Sequence, residues 1–304
     1  MEKSPLVSII CATYNQKNFI AQAIEGFLMQ KVNFPIEIII HDDASTDGTA
    51  EIVKAYEKKY PNLIKGIYQT ENQYSKKVRI WETILYPKAR GLYIAECEGD
   101  DFWTDPQKIQ KQVDFLERHS DYSLVTHRYE VMTGENNERK LVSNVYFEKN
   151  PKESFYTFDS NYLFGVQFAI QTATILYRRS CLDIRKFSNC KYKRDVHFFY
   201  GLLLCGQGAC LSFVGSVYRM NAGGVYTSLS KIQRSVVDRE MYTELYDVTK
   251  DEIFKKKLLS VYVTLFSYGA FKEIRGTLNF VKVALFLYPK YKWGFIKKKL
   301  FKAK

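Results

Sequence analysis

Residues 6–14, Leu-Val-Ser-Ile-Ile-Cys-Ala-Thr-Tyr, and residues 36–40, Ile-Glu-Ile-Ile-Ile, are short apolar runs without polar alternation. A strand that reads this way is buried on both faces, as in a parallel sheet. Between the runs, Phe19, Ile20, Ala23, Ile24, Phe27 and Leu28 recur three and four residues apart, the spacing of an amphipathic helix. Strand, helix and strand make a βαβ unit, and the alternation continues. A helix is expected over about 48–59, a strand near 64–69, a helix around 77–86 and a strand at 92–95. The expected fold class is α/β, a doubly wound, mostly parallel sheet flanked by helices. After about residue 120 the pattern is mixed, with strand-like stretches at 123–132, 171–178 and 209–220, and residues 231–288 read as mostly helical.

With 46% hydrophobic and 15% aromatic residues in 304, the chain has far more buriable surface than a disordered one. Its net charge of +12 is unevenly placed. Nine basic residues and no acidic one lie between Arg275 and Lys304, leaving a body of 36 basic and 33 acidic residues. A nearly neutral body argues against nucleic acid as a partner. A basic tail interleaved with Trp293, Phe295, Ile296, Leu300 and Phe301 points to an anionic membrane surface. The six cysteines include no C-x-x-C pair and sit mostly in apolar runs, so reduced, buried thiols in a cytoplasmic protein are expected. The N-terminus shows no signal-peptide pattern, and the best candidates for a membrane span of ~20 apolar residues fall short, 258–271 by length and 196–218 through its interruption by His197, Gly206, Gln207 and Gly208. The expected location is cytoplasmic, peripheral at the inner face of the cell membrane.

Ligands of open α/β sheets bind beyond the carboxyl ends of the strands. Three polar clusters fall there: Thr13-Tyr14-Asn15, then Asp42-Asp43-Ala44-Ser45-Thr46-Asp47-Gly48-Thr49, then Glu98-Gly99-Asp100-Asp101. Any one alone reads as an ordinary helix-capping loop, but three on one sheet edge read as a site. Neither a G-x-G-x-x-G after the first strand nor a P-loop motif is present. Glu98 and Asp100 stand two residues apart on an extended segment and so point to one side. Converging carboxylates suit a hard divalent cation, Mn2+ or Mg2+, whose other ligands are diphosphate oxygens. The other two clusters offer a carboxylate and an aromatic ring for a nucleobase.

The stretches VSIICATYN, EIIIHDDASTDGT and GLYIAECEGDDFWTDPQKIQKQVDFLE, in this order, resemble the inverting glycosyltransferases of family 2, which have the GT-A fold. The resemblance is specific over residues 5–120, continues more weakly through Arg194-Asp195 and 218–224, and is to the branch that builds bacterial surface polysaccharides. It implies a glycosyltransferase domain over 1–230, with a nucleotide-sugar half to about residue 120 and an acceptor half beyond. A helical, basic extension follows over 231–304. It implies a nucleotide-sugar donor, UDP-linked, and a glycan or lipid-linked acceptor. Tyr14 and Asp43 would hold the base, with Thr13, Asn15 and Ser45 nearby. Asp100 would bind the metal, and Glu98 the metal or the ribose. Asp195 occupies the place of the catalytic base, while Arg219, Asn221, Gly223 and Gly224 lie where relatives close over the diphosphate. Two departures stand out: Glu98 replaces the first aspartate of the family's Asp-x-Asp, and Asn221 replaces a frequent histidine.

Further candidates for acceptor or diphosphate contacts are Asp101, Trp103, Gln171, Thr172 and His197. Trp103 reads equally as core, His41 reads as structural, and His127 is left without an assigned role. A different class of function is a non-catalytic, membrane-attached binding or assembly protein that keeps the fold. The joint presence of Asp43, Asp100 and Asp195 argues against it.

Overall fold

The computed structural model describes residues 4–133, 138–160, 170–183, 185–220 and 229–270. The basic tail beyond residue 270 lies outside them. By internal contacts the chain divides into two units, the first comprising Met1–Lys186 with Phe198–Asn221 and the second Phe187–His197 with Ala222–Lys304.

The first unit is built on a ten-stranded mixed sheet. Its strands are β1 (Val7–Thr13), β2 (Ile36–Asp42), β3 (Ile64–Tyr68), β4 (Tyr93–Glu98), β5 (Phe102–Trp103), β6 (Tyr122–Thr133), β7 (Glu138–Leu141), β8 (Phe155–Phe158), β9 (Leu176–Arg178) and β10 (Gln207–Arg219). The main order is β3-β2-β1-β4-β9-β6-β10-β5, with β7 on β6 and β8 on β10. The half from β3 to β4 is wholly parallel, and β9 enters antiparallel to both β4 and β6. The chain winds outward from β1 to β2 and β3, then returns to place β4 on the other side of β1. That reversal makes the crevice at the ends of β1 and β4 the switch point where such sheets bind ligands.

Helices α1 (Ile20–Leu28), α2 (Thr49–Lys59) and α3 (Lys108–Arg118) follow β1, β2 and β5. The apolar positions read from the sequence bury as expected: Ile20, Ala23, Ile24 and Phe27 of α1 join Ile9, Ile38, Val53 and Ile64 in one core. The short α4 (Val145–Lys149) precedes β8, and α5 (Asp195–Leu203) contains the boundary between the units. The second unit carries α6 (Lys231–Thr249) and α7 (Glu252–Ser267), whose core is Leu258, Val261, Tyr262 and Leu265 packed with Val236 and Tyr242. Among the described residues no helix is long and apolar enough to cross a membrane.

Three expectations need correction. The helix expected over 77–86 is a π-helical turn, Trp81–Leu85, running into a 3-10 turn, Tyr86–Lys88; Pro87 has no amide hydrogen to continue an α-helix. The strand expected over 171–178 begins only at Leu176, because Gln171 and Thr174 cap each other across a 3-10 turn. The cysteines are not all thiols: Cys181 and Cys205 form a disulfide, whereas Cys11, Cys97, Cys190 and Cys210 are buried thiols.

Two buried polar groups organise the first unit. Lys108 is fully buried; its ammonium lies 4.1 Å from the Trp103 ring centroid and donates to Gln112 Oε1 at 2.8 Å. Gln112 in turn donates to the carbonyls of Val125 and Thr174, and the Trp103 indole donates to Ala173. At the end of the sheet away from the polar clusters, Glu37 accepts from Ser8 Oγ at 2.6 Å and from the backbone and side chain of Arg90, both at 2.8 Å. Ser8 and Glu37 are register partners, and the Ser8 hydroxyl also accepts the Gly91 amide at 2.8 Å. A Cβ on Gly91 would stand 2.5 Å from the Ser8 nitrogen, so only glycine allows β1 and the start of β4 to approach this closely. Replacing Glu37 by Ala strands the Ser8 hydroxyl and the Arg90 amide. We expect urea denaturation to show a loss of about 1–3 kcal/mol, with Glu37→Gln, which keeps a carbonyl acceptor, losing less. Equal stabilities of both variants and the parent would contradict this role.

Candidate functional site

The parallel register delivers the polar clusters to one edge. Thr13, the last residue of β1, pairs with Asp42, the last of β2, and Ala12 pairs with Glu98, the last of β4. Beyond these ends the loops bind one another directly. The Asn15 amide donates to Ser45 Oγ at 2.9 Å, and Asn15 Oδ1 accepts the Thr46 amide at 2.8 Å. Asn15 and Ala44 both adopt positive φ, 50° and 62°, which turns the two loops toward each other. Asp42 Oδ1 accepts the Ser45 amide at 3.0 Å, while the Lys17 amide reaches Asp47 at 2.9 Å. The third cluster joins through Gly99, whose amide donates to the Ala12 carbonyl at 3.0 Å. A Cβ there would stand 2.5 Å from Gln16 Oε1 and 2.7 Å from Thr13 Oγ1, two atoms already hydrogen-bonded to each other.

Asp43 is buried, and its carboxylate is engaged from within the chain: Oδ1 accepts the Gln73 amide at 2.7 Å and Oδ2 the Tyr74 amide at 3.0 Å. It therefore ties down the loop after β3, a part of the site that sequence reasoning missed. The polar run Gln69-Thr-Glu-Asn72 directly after a parallel strand was the available signal. Tyr74 on this loop is 64% exposed and Tyr14 47% exposed, so two aromatic rings stand in solvent beside the buried carboxylate. His41, beneath Asp42 and Asp43, is fully buried, and burial lowers its pKa despite both carboxylates.

Glu98 and Asp100 are half-buried, whereas Asp101 is buried. Asp101 Oδ1 accepts the Arg219 amide at 2.8 Å; Oδ2 is buried without a hydrogen-bond partner. Burial first, then the charges of Asp100 and Glu98, hold the Asp101 carboxyl well above its ordinary value. Burial and the same three carboxylates keep the Cys11 thiol protonated. Hard oxygen donors near enough to act on one another's charge, with one buried oxygen lacking a partner, are of the kind that suits a divalent cation. Arg219 braces this edge: its guanidinium donates to the Asp100 carbonyl at 3.1 Å and to Gln22 Oε1 at 2.7 Å, and lies 4.5 Å from the Phe19 ring centroid.

Trp103 takes the core alternative, buried edge-on against Phe27 with centroids 4.8 Å apart. Gln171 and Thr172 are half-buried at the 3-10 turn before β9. Asp195 and His197 belong to the second unit; Asp195 is exposed at the first residue of α5, and His197 is fully buried. Asn221, Gly223 and Gly224 lie outside the described residues.

The profile of glycosyl transferase family 2 matches residues 8–185. The chain is 42% identical over 126 residues to an uncharacterized protein of Mycobacterium tuberculosis, covering 41% of this chain and 36% of that one. It is 40% identical over 114 residues to the UDP-Glc:alpha-D-GlcNAc-diphosphoundecaprenol beta-1,3-glucosyltransferase WfaP of Escherichia coli, covering 37% of this chain and 41% of WfaP. The chain thus matches about two fifths of each relative's length. In structure it is similar to residues 1–349 of Staphylococcus aureus TarS in complex with UDP-GlcNAc. The TM-score is 0.59 at 19% identity, over 90% of this chain and 76% of TarS 1–349, a likeness of fold.

The crowded carboxylates carry a testable sign. A carboxyl that holds its proton more tightly when folded supports the fold in acid and loses that contribution as pH rises from its ordinary value of 3.8 to its raised folded value. Chemical denaturation in EDTA across this range should therefore show the parent losing stability relative to Asp101→Asn. Parallel pH profiles of the two proteins would contradict the account.

Proposed function

Because the chain belongs to glycosyl transferase family 2, we propose that it moves a hexose from a UDP-linked donor to a hydroxyl of a glycan or lipid-linked acceptor, with inversion, in surface polysaccharide synthesis. The observation that carries this reading is the convergence of all three polar clusters on the switch point, with Glu98, Asp100 and the unpartnered Asp101 oxygen on one side and the exposed rings of Tyr14 and Tyr74 on the other. An aromatic, hydrogen-bonding half beside an acidic half matches the two ends of a nucleoside diphosphate. UDP-glucose in the name of WfaP and the UDP-GlcNAc bound to TarS support the choice of donor, and the diphosphoundecaprenol in the name of WfaP supports a lipid-linked acceptor.

The chain's own groups divide the work. Tyr14 stacks on the base while Asp43, buried under the loop it holds, keeps Tyr74 and the Asn72 side chain beside the strand ends. Asp100 and Glu98 are the residues that hold Mn2+ or Mg2+, with Asp101 completing the acidic edge. When bound, such a cation supplies positive charge against the departing diphosphate. Arg219 acts by fixing Asp100 and Asp101. Asp195 is the base. It takes the proton of the acceptor hydroxyl as oxygen attacks the anomeric carbon, and the bond to the diphosphate breaks on the opposite face. One base suffices for inversion, so no carboxylate nucleophile is required. A basic tail at an anionic membrane would bring the enzyme to a lipid-linked acceptor.

Two variants test the assignment with purified protein and a panel of nucleotide sugars. Asp100→Ala should abolish Mn2+-dependent transfer and donor hydrolysis while circular dichroism shows the fold retained; activity indifferent to EDTA would remove the metal role. Asp195→Asn should retain UDP binding by calorimetry yet lower the transfer rate on the order of 10² to 10⁴-fold. Normal turnover in that variant would move the base elsewhere.

A further inference from the structure

Away from the acidic edge, the second unit brings together three side chains of different chemistry. One donor atom each from Cys190, His197 and Glu244 lies within 4.8 Å of the other two. Cys190 and His197 are 3% and 0% exposed, and Glu244 is half-buried on α6. We propose that these residues form a zinc site, a clip between the 190–197 stretch and α6.

The donor set is one thiolate sulfur, one imidazole nitrogen and one carboxylate oxygen. That mixture suits borderline-soft Zn2+ and disfavours the Mn2+ or Mg2+ expected among the all-oxygen donors at Asp100. Zinc bonds of about 2.0–2.3 Å in a tetrahedron put ligand atoms roughly 3.3–3.8 Å apart, so the three groups need to close by only about an ångström. The surroundings already hold Glu244 in place. Glu244 accepts the amides of Lys191 and Tyr192, both at 2.8 Å, so its carboxylate is fixed against the backbone that directly follows Cys190. Each carboxylate oxygen keeps a second lone pair for a metal. His197 packs edge-on against Phe187, and its Nδ1 accepts the Arg194 amide at 3.1 Å. That bond assigns the proton of the neutral ring to Nε2 and leaves Nδ1 as the basic nitrogen. Zinc takes the Nδ1 lone pair in place of the amide, and Nε2 keeps its proton.

Binding forms three bonds and releases one proton, from the Cys190 thiol, with no change of oxidation state. One thiolate and one carboxylate balance the two charges of the ion. The nearby Arg194 guanidinium is directed to Asp238 at 3.7 Å. Three protein ligands leave a fourth position for water. The clip braces the stretch that carries Asp195. That consequence rests on the role proposed for Asp195, whereas metal binding is measured without turnover, so either can fail alone.

The test uses the full chain, stripped with chelator and titrated with Co2+, which gives a near-ultraviolet charge-transfer band only when bonded to thiolate. Co2+ held by carboxylates at Asp100 gives none. We expect the band to saturate at one equivalent and to vanish when Zn2+ displaces Co2+. It should be lost in Cys190→Ser and retained in Cys210→Ser, and Glu244→Gln should weaken Co2+ binding by at least about tenfold. Absence of the band in the parent chain overturns the proposal whatever the variants do. So does a band that survives in a folded Cys190→Ser.

Discussion

The polar edge of the first unit depends on a carboxylate at the opposite end of the sheet. Glu37 receives the Ser8 hydroxyl and two groups of Arg90, and Ser8 receives the Gly91 amide, so one buried acceptor cluster joins β1, β2 and the approach to β4. Because side chains along a strand alternate faces, a slip of one residue in any of these strands would reverse what each presents. Thr13 would no longer face Asp42, and Glu98 would leave Ala12. The cluster is small, but the groups it satisfies are buried, and leaving them unsatisfied is what makes other registers costly.

At the site end, binding of loop to loop replaces binding of strand to strand. Asn15 to Ser45 and Thr46, Gly99 to Ala12, and Asp43 to the 73–74 amides join segments from four strand ends without a regular ladder. The structure thereby concentrates negative charge where it cannot relax. Burial, then the charges of Asp100 and Glu98, raise the protonation of Asp101, and burial with nearby carboxylates does the same for the Cys11 and Cys97 thiols. A group placed so is poorly suited to stability and well suited to receive a cation.

Much of this was legible in the sequence, for identifiable reasons. The runs at 6–14 and 36–40 are unbroken because both faces of a central parallel strand are covered. The clusters at 13–15, 42–49 and 98–101 are visible because polar residues interrupt such runs abruptly. Features made by distance in the chain were not legible. Cys181 and Cys205 are 24 residues apart and carry no pairing motif, and Glu244 meets Cys190 only through folding. The loop after β3 is held to Asp43 mainly through backbone amides, which every sequence has, and only its polar run at 69–72 could have marked it. The expected helix at 77–86 and strand at 171–178 failed for local reasons, one at Pro87 and one at the mutual capping of Gln171 and Thr174.

Lys108 has a consequence of another kind. Burial pushes its pKa from 10.5 down to about 7, which brings the titration of an interior ammonium toward neutrality. The group 4.1 Å away is the indole of Trp103, one of three tryptophans in the chain. Indole emission responds to a cation held over its ring, so the molecule carries its own optical gauge of that proton. Steady light from Trp103 across neutral pH would mean that the core holds a single charge state, and a shift would report the exchange without any added label.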